Sequence, residues 1–180
     1  MGPTTYALCQ KPVIGFVMWI TTLCSFPPLF KDAPISLENA GSSVSVLFTA
    51  PVTKLYPLEI SFEFPSAEAL LNDNIVGSRN GEYCRDTFKY TDIPVSKRAD
   101  LGQPIPFRVV IRNEPGKKVV VDRIFESLCI ASRNVKKKNR TIGFLDLTEG
   151  NYSAEVISLE SQRNLEGVKT TISLESGYGK

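Results

Sequence analysis

Apolar and polar side chains alternate with a period of two along much of the chain, the spacing that puts every second residue on one face of a β-strand. Ser43–Thr49 places Val44, Val46 and Phe48 together. In Pro57–Phe64, Leu58, Ile60, Phe62 and Phe64 oppose Glu59, Ser61 and Glu63. Pro106–Arg112 sets Phe107, Val109 and Ile111 against Arg108, Val110 and Arg112, and the turn residues of Asn113–Gly116 join it to Lys118–Asp122 as a hairpin. Ile124–Ala131 reads as a further strand, and Val168–Leu174 closes the chain with Val168, Thr170, Ile172 and Leu174 on one face. One short helix is expected at Ser66–Asn72, with Ser66 at its start and Glu68 in the first turn, where the helix dipole favours an acid. About eight strands, one helix and no strand–helix–strand repeat select an all-β, two-sheet antiparallel sandwich.

Ile142–Ile157 is the most patterned stretch. It reads as a strand over Ile142–Leu147, a turn at Gly150 and Asn151, and a second strand led by Tyr152. The Leu147-x-x-Gly150-x-Tyr152 spacing is that of a tyrosine corner, whose ring packs under the sheet while its hydroxyl bonds a nearby backbone group. The expected sandwich is therefore immunoglobulin-like, and Gly150 and Tyr152 are structural residues. Residues 82–104 carry no clean alternation; Asp92, Pro94, Asp100 and Gly102 mark turns. They read as a surface excursion, the kind of segment on which binding residues sit.

The N-terminus changes the picture of where this fold resides. No charge occurs from Pro12 to Phe30, Lys11 precedes the stretch and Pro27-Pro28 ends it. Its apolar part, roughly 11–14 residues, suits the hydrophobic region of an export signal better than a membrane span of about 20. Residues 1–26 are expected to be a signal peptide or membrane anchor and residues 27–180 the sandwich domain. Membrane association would run through residues 13–26, and Cys24 is a candidate lipidation site. Cys84 and Cys129 then belong to the mature domain, where they form one disulfide or leave Cys129, between Leu128 and Ile130, as a small buried residue.

Composition narrows the chemistry. Apolar residues make up 42% and charged residues 22%, which is ordinary globular material. The net charge of +2 lacks the basic excess of a nucleic-acid-binding domain, so no nucleic-acid partner is expected. The chain has no histidine, which removes Ser-His-Asp, Cys-His and His-containing zinc sites. No phosphate-cradling loop or nucleophile elbow is present, so no catalytic, cofactor-binding or metal residue is assigned and no cofactor is expected. Lys136, Lys137, Lys138 and Arg140 form a basic run between two strands, either a solvated hairpin tip or a grip for an anionic partner. Asn139-Arg-Thr141 and Asn151-Tyr-Ser153 match the N-glycosylation pattern.

Two segments carry a resemblance: Gly102-Gln-Pro-Ile-Pro-Phe-Arg-Val, and Arg140-Thr-Ile-Gly-Phe-Leu-Asp-Leu-Thr-Glu-Gly-Asn-Tyr-Ser-Ala-Glu-Val. Over residues 33 to 176 the chain resembles a family of small bacterial envelope proteins of unknown function, built as a signal or lipoprotein leader followed by one immunoglobulin-like sandwich. Some proteins of this build look like immunity partners that neutralise toxins delivered into the periplasm. The resemblance implies a non-catalytic module in the periplasm or on the outer face of a bacterial membrane, binding a protein partner of unknown identity. The alternatives are an adhesive or structural envelope subunit assembling by strand addition and, last, a carboxylate-dependent glycan hydrolase.

Overall fold

The computed structural model describes residues 8–9, 27–79, 84 and 89–176. Among them lie nine strands: β1 (Phe30–Pro34), β2 (Ser43–Ala50), β3 (Lys54–Glu63), β4 (Ile105–Asn113), β5 (Val119–Ser127), β6 (Ser132–Arg133), β7 (Lys137–Leu147), β8 (Gly150–Ser158) and β9 (Lys169–Leu174). They form two antiparallel sheets, ordered β1-β9-β3-β7-β6 and β2-β8-β4-β5. The fold is an all-β sandwich, and residues 67–71 form a short helix, α1 (Ala67–Leu71).

The alternation explains how the layers meet. β3 buries Tyr56, Leu58, Ile60 and Phe62, and β9 buries Ile172 and Leu174 from the same sheet. Phe107, Val109 and Ile111 of β4 and Tyr152, Ala154 and Val156 of β8 close on them from the other. All belong to one apolar cluster, in which each large side chain contributes about 1.5–3 kcal/mol by leaving water. In α1 the Ser66 Oγ accepts from the Ala69 N–H at 3.1 Å, the expected cap, and only Leu70 is buried. The helix covers one end of the sandwich beyond β3.

Most consecutive strands lie in different sheets; of the sequential pairs only β4–β5 and β6–β7 are hydrogen-bonded neighbours. Three details depart from the pattern in the sequence. β1 has no legible alternation because its register shifts between Phe30 and Ala33, where Asp32 takes a left-handed φ of 54°. β3 begins at Lys54, three residues before the expected Pro57, because Tyr56 is drawn into the core and its hydroxyl donates to the Val52 carbonyl at 2.6 Å. Ile124–Ala131 is not a separate strand: β5 runs unbroken from Val119 to Ser127, and Cys129, at φ 61°, ends the extended run.

β7 and β8 belong to opposite sheets, so Thr148 and Glu149 form a corner between layers. Tyr152 is buried there, its ring stacked on Phe48 at 5.6 Å and its hydroxyl donating to the Thr148 carbonyl at 3.0 Å, with the Thr148 Oγ1 at 2.9 Å. Gly150 lies under that ring, where an added Cβ would stand 3.4 Å from Tyr152. Tyr152→Phe keeps the packing and leaves the Thr148 groups without their partner, so it should cost about 1 kcal/mol or somewhat more in chemical denaturation. A neutral result would mean that the hydroxyl does not hold the corner.

Candidate functional site

The inward face of β7 continues backward from Ile142 through Arg140 and Lys138, so two of the four basic residues point into the protein. This corrects the hairpin tip expected for Lys136, Lys137, Lys138 and Arg140. Lys136 is exposed just before β7 and Lys137 faces outward, 3.1 Å from Glu63, whereas Lys138 and Arg140 are buried. Strand periodicity overrides the polarity of the run, because each inward cation finds a partner. The Lys138 ammonium donates to Asp73 at 2.7 Å, both side chains being almost wholly excluded from solvent, and lies over the Phe64 ring. Asp73 also accepts from the Ile75 and Val76 N–H groups at 3.0 and 3.1 Å.

Arg140 carries the less complete set of bonds. Its Nη2 donates to the Leu101 and Gln103 carbonyls at 3.3 and 2.9 Å, while Nε and Nη1 are buried without a hydrogen-bond partner. Burial pushes the guanidinium pKa down to about 10, against the opposing pull of Asp73, so it remains charged at neutral pH. Two buried cations thus share one buried carboxylate.

These groups hold down a loop-built end of the sandwich. Residues 73–79 cross residues 100–103 at Gly77 and Gly102, which have φ of 79° and 83°. A Cβ on Gly77 would meet the Gly102 backbone at 2.6 Å, and one on Gly102 would meet Arg140 Nη2 at 2.7 Å, so only glycine permits this approach. Behind the crossing, Cys84 and Cys129 form a disulfide with a Cα–Cα distance of 5.7 Å. Cys129 packs with Ile93 and Leu101 in a second small apolar cluster. The 89–104 part of the expected excursion is therefore anchored by its own core, with short 3₁₀ turns at Tyr90–Asp92 and Val95–Lys97.

A cleft of about 300 Å³ opens over this end, with Leu71, Ser78, Tyr90, Arg98 and Asp100 on its walls. The Arg98 guanidinium sits 4.8 Å from the Tyr90 ring centre and donates to the Ile93 and Thr91 carbonyls at 2.8 and 3.1 Å. The pair is thus held in place before any ligand arrives. Leu71, on the same cleft wall, stands exposed. The sequence offered no pairing signal here, since Tyr90, Arg98 and Leu71 come together only through the loop crossing.

A smaller cleft of about 210 Å³ lies on the outer face of the β1-containing sheet and gathers Glu59, Glu175, Asp32, Lys31 and Ser61. Burial raises the Glu59 carboxyl above its usual range, and Glu175 adds to the rise; Glu175 is itself raised by burial, with Lys31 opposing and Asp32 reinforcing. A carboxyl with a raised folded-state pKa favours folding on acidification: its penalty is present above the folded pKa and gone below the unfolded one. Glu59→Gln should therefore raise the melting temperature at pH 7, with the gain shrinking to nothing by about pH 4. An equal gain at both pH values would contradict this.

Residues 13–26 and Cys24 lie outside the described residues. Asn139 is in β7 and donates to the Ser132 Oγ at 3.0 Å, while Asn151 starts β8 and accepts from the Thr49 hydroxyl at 2.7 Å. Among the described residues no three metal-ligating side chains converge.

The profile of a family described as a domain of unknown function, DUF5625, matches residues 32–176. A search of curated proteins returns no match. A crystal structure of a protein from Sulfurospirillum deleyianum is similar to this chain with a TM-score of 0.60 and 18% sequence identity, over 82% of this chain and 98% of that one. At that identity the likeness is one of fold.

Proposed function

The chain belongs to this DUF5625 family, and from that premise we propose that it is a non-catalytic extracytoplasmic binding module whose loop-built end grips another envelope protein, in the manner of an immunity protein occluding a toxin. The observation that carries the reading is the pre-fixed Tyr90–Arg98 pair beside exposed Leu71, over a cleft that rigid strands and a disulfide hold in shape. Tyrosine and arginine are the residues that dominate binding energy at protein interfaces, and a surface ordered in advance loses little entropy on association. The Cys84–Cys129 bond supports residence in an oxidising compartment, where such bonds persist. The corner closed by Tyr152 supports an immunoglobulin-like reading of the sandwich.

The partner is expected to be recovered when the tagged full chain is purified from its native envelope under mild conditions. Leu71→Lys, at an exposed position on the cleft wall, should release that partner without moving the melting temperature. Tyr90→Ala should release it too, with a small drop in melting temperature because the ring packs against the Ile93, Leu101 and Cys129 cluster. Retention of the partner by Tyr90→Ala would place the binding surface elsewhere.

A further inference from the structure

Each sheet ends in edge strands, and an exposed edge is a row of unpaired N–H and C=O groups that natural proteins guard with charge, proline, bulges or shortness. Three of the four edges here carry such guards. β1 has Lys31, Asp32 and Pro34 and a register shift; β5 has Asp122, Arg123 and Glu126, and its pairing with β4 also shifts; β6 is two residues long. β2 has none of them. Its eight residues, Ser-Val-Ser-Val-Leu-Phe-Thr-Ala, contain no charge, no proline and no glycine, and its register with β8 is unbroken from Ser43–Ile157 to Ala50–Gly150.

The hydrogen-bond phase shows which groups are open. The Ser158 N–H donates to the Ser42 carbonyl, so the even-numbered residues of β2 bond inward to β8. Ser43, Ser45, Leu47 and Thr49 therefore direct their backbone groups away from the sheet, and β2 pairs with no second strand among the described residues. Their side chains lie on the exposed face, where Leu47 is 69% exposed.

We propose that β2 is a self-association edge, and that its occupant is the β2 strand of a second copy of this chain. The argument for a second copy is charge and symmetry. Antiparallel pairing about a two-fold axis near Val46 or Leu47 sets small hydroxyl residues and Leu47 of one copy against the same set in the other, with no charge to repel. Such pairing would join the two four-stranded sheets into one and cover Leu47 from both sides. It uses a surface distinct from the Tyr90–Arg98 end, so it stands or falls separately from the heteromeric partner.

The test is sedimentation equilibrium of the full chain in mild detergent over a wide concentration range, with two variants. Leu47→Lys adds an exposed charge to the edge; Ser45→Pro removes an outward N–H but no bond to β8. Wild type is expected to dimerise reversibly, and both variants to raise the dimer dissociation constant by at least about tenfold, with a melting temperature equal to that of wild type at dilutions where wild type is monomeric. A wild type that stays monomeric throughout overturns the proposal. So does a dimer that Leu47→Lys leaves intact, which would trace association to another surface such as the apolar N-terminal stretch.

Discussion

Asp73→Ala should destabilise the protein by about 3–5 kcal/mol, measured by chemical denaturation, because it removes the one carboxylate buried with two cations. Lys138 is left in an apolar setting with only the Phe64 ring beside it, and Arg140 loses the nearby charge that favours its ionised form. The Ile75 and Val76 N–H groups lose their acceptor at the same time, which loosens the loop leading to Gly77. The cost comes from orphaned charge and not from a strong attraction, and this can be separated. Arg140→Met deletes a cation whose Nε and Nη1 are already unpartnered and leaves the Lys138–Asp73 pair whole, so its cost should be about 1–2 kcal/mol, from the two carbonyls it abandons. The double variant Asp73→Leu with Lys138→Met should also be milder than Asp73→Ala. If Asp73→Ala proves no worse than Arg140→Met, the carboxylate is not the organising group.

Replacing Cys84 and Cys129 with serine should cost about 4 kcal/mol, the loop-entropy figure for a cross-link spanning 45 residues. The loss should be local as well as global. The bond joins the segment after Gly77 to the residues just beyond β5, and Cys129 is itself part of the small cluster with Ile93 and Leu101. Amide hydrogen exchange at Ile93 and Leu101 should quicken markedly in the variant, while exchange in β3 and β4 should change only through the lowered global stability. Unchanged protection at Ile93 and Leu101 would mean that the small core holds the loop without the bond.

Much of the sandwich was legible because its strands are half-buried and keep strict alternation, as in β3, where Leu58, Ile60 and Phe62 are inside and Glu59 and Ser61 outside. The pairing was not legible. Alternation says which face of a strand is buried but not which strand lies beside it, and here β3 pairs with β7 and β9, far away in the chain. The most misleading stretch was Lys136–Arg140, whose polarity reads as a tip. Its true signal was phase: Lys138 and Arg140 fall on the same alternate positions as Ile142, and a strand reading carried back two steps puts them inside. Asp73, set between Asn72 and Asn74 and without companions suited to calcium, was the unassigned counterion that such an interior requires. The Tyr90–Arg98 surface was legible only as a place, the 82–104 excursion; which side chains pair there was not, because 3₁₀ turns and a glycine crossing have no long periodicity to read.

The proposed function requires the loop-built end around Tyr90 and Arg98 to bind another protein. The most direct measurement is native mass spectrometry of the full chain purified through a tag from its own envelope fraction. A heteromeric complex of fixed stoichiometry, lost on Tyr90→Ala, is the predicted result; recovery of the chain alone or only with copies of itself would contradict it.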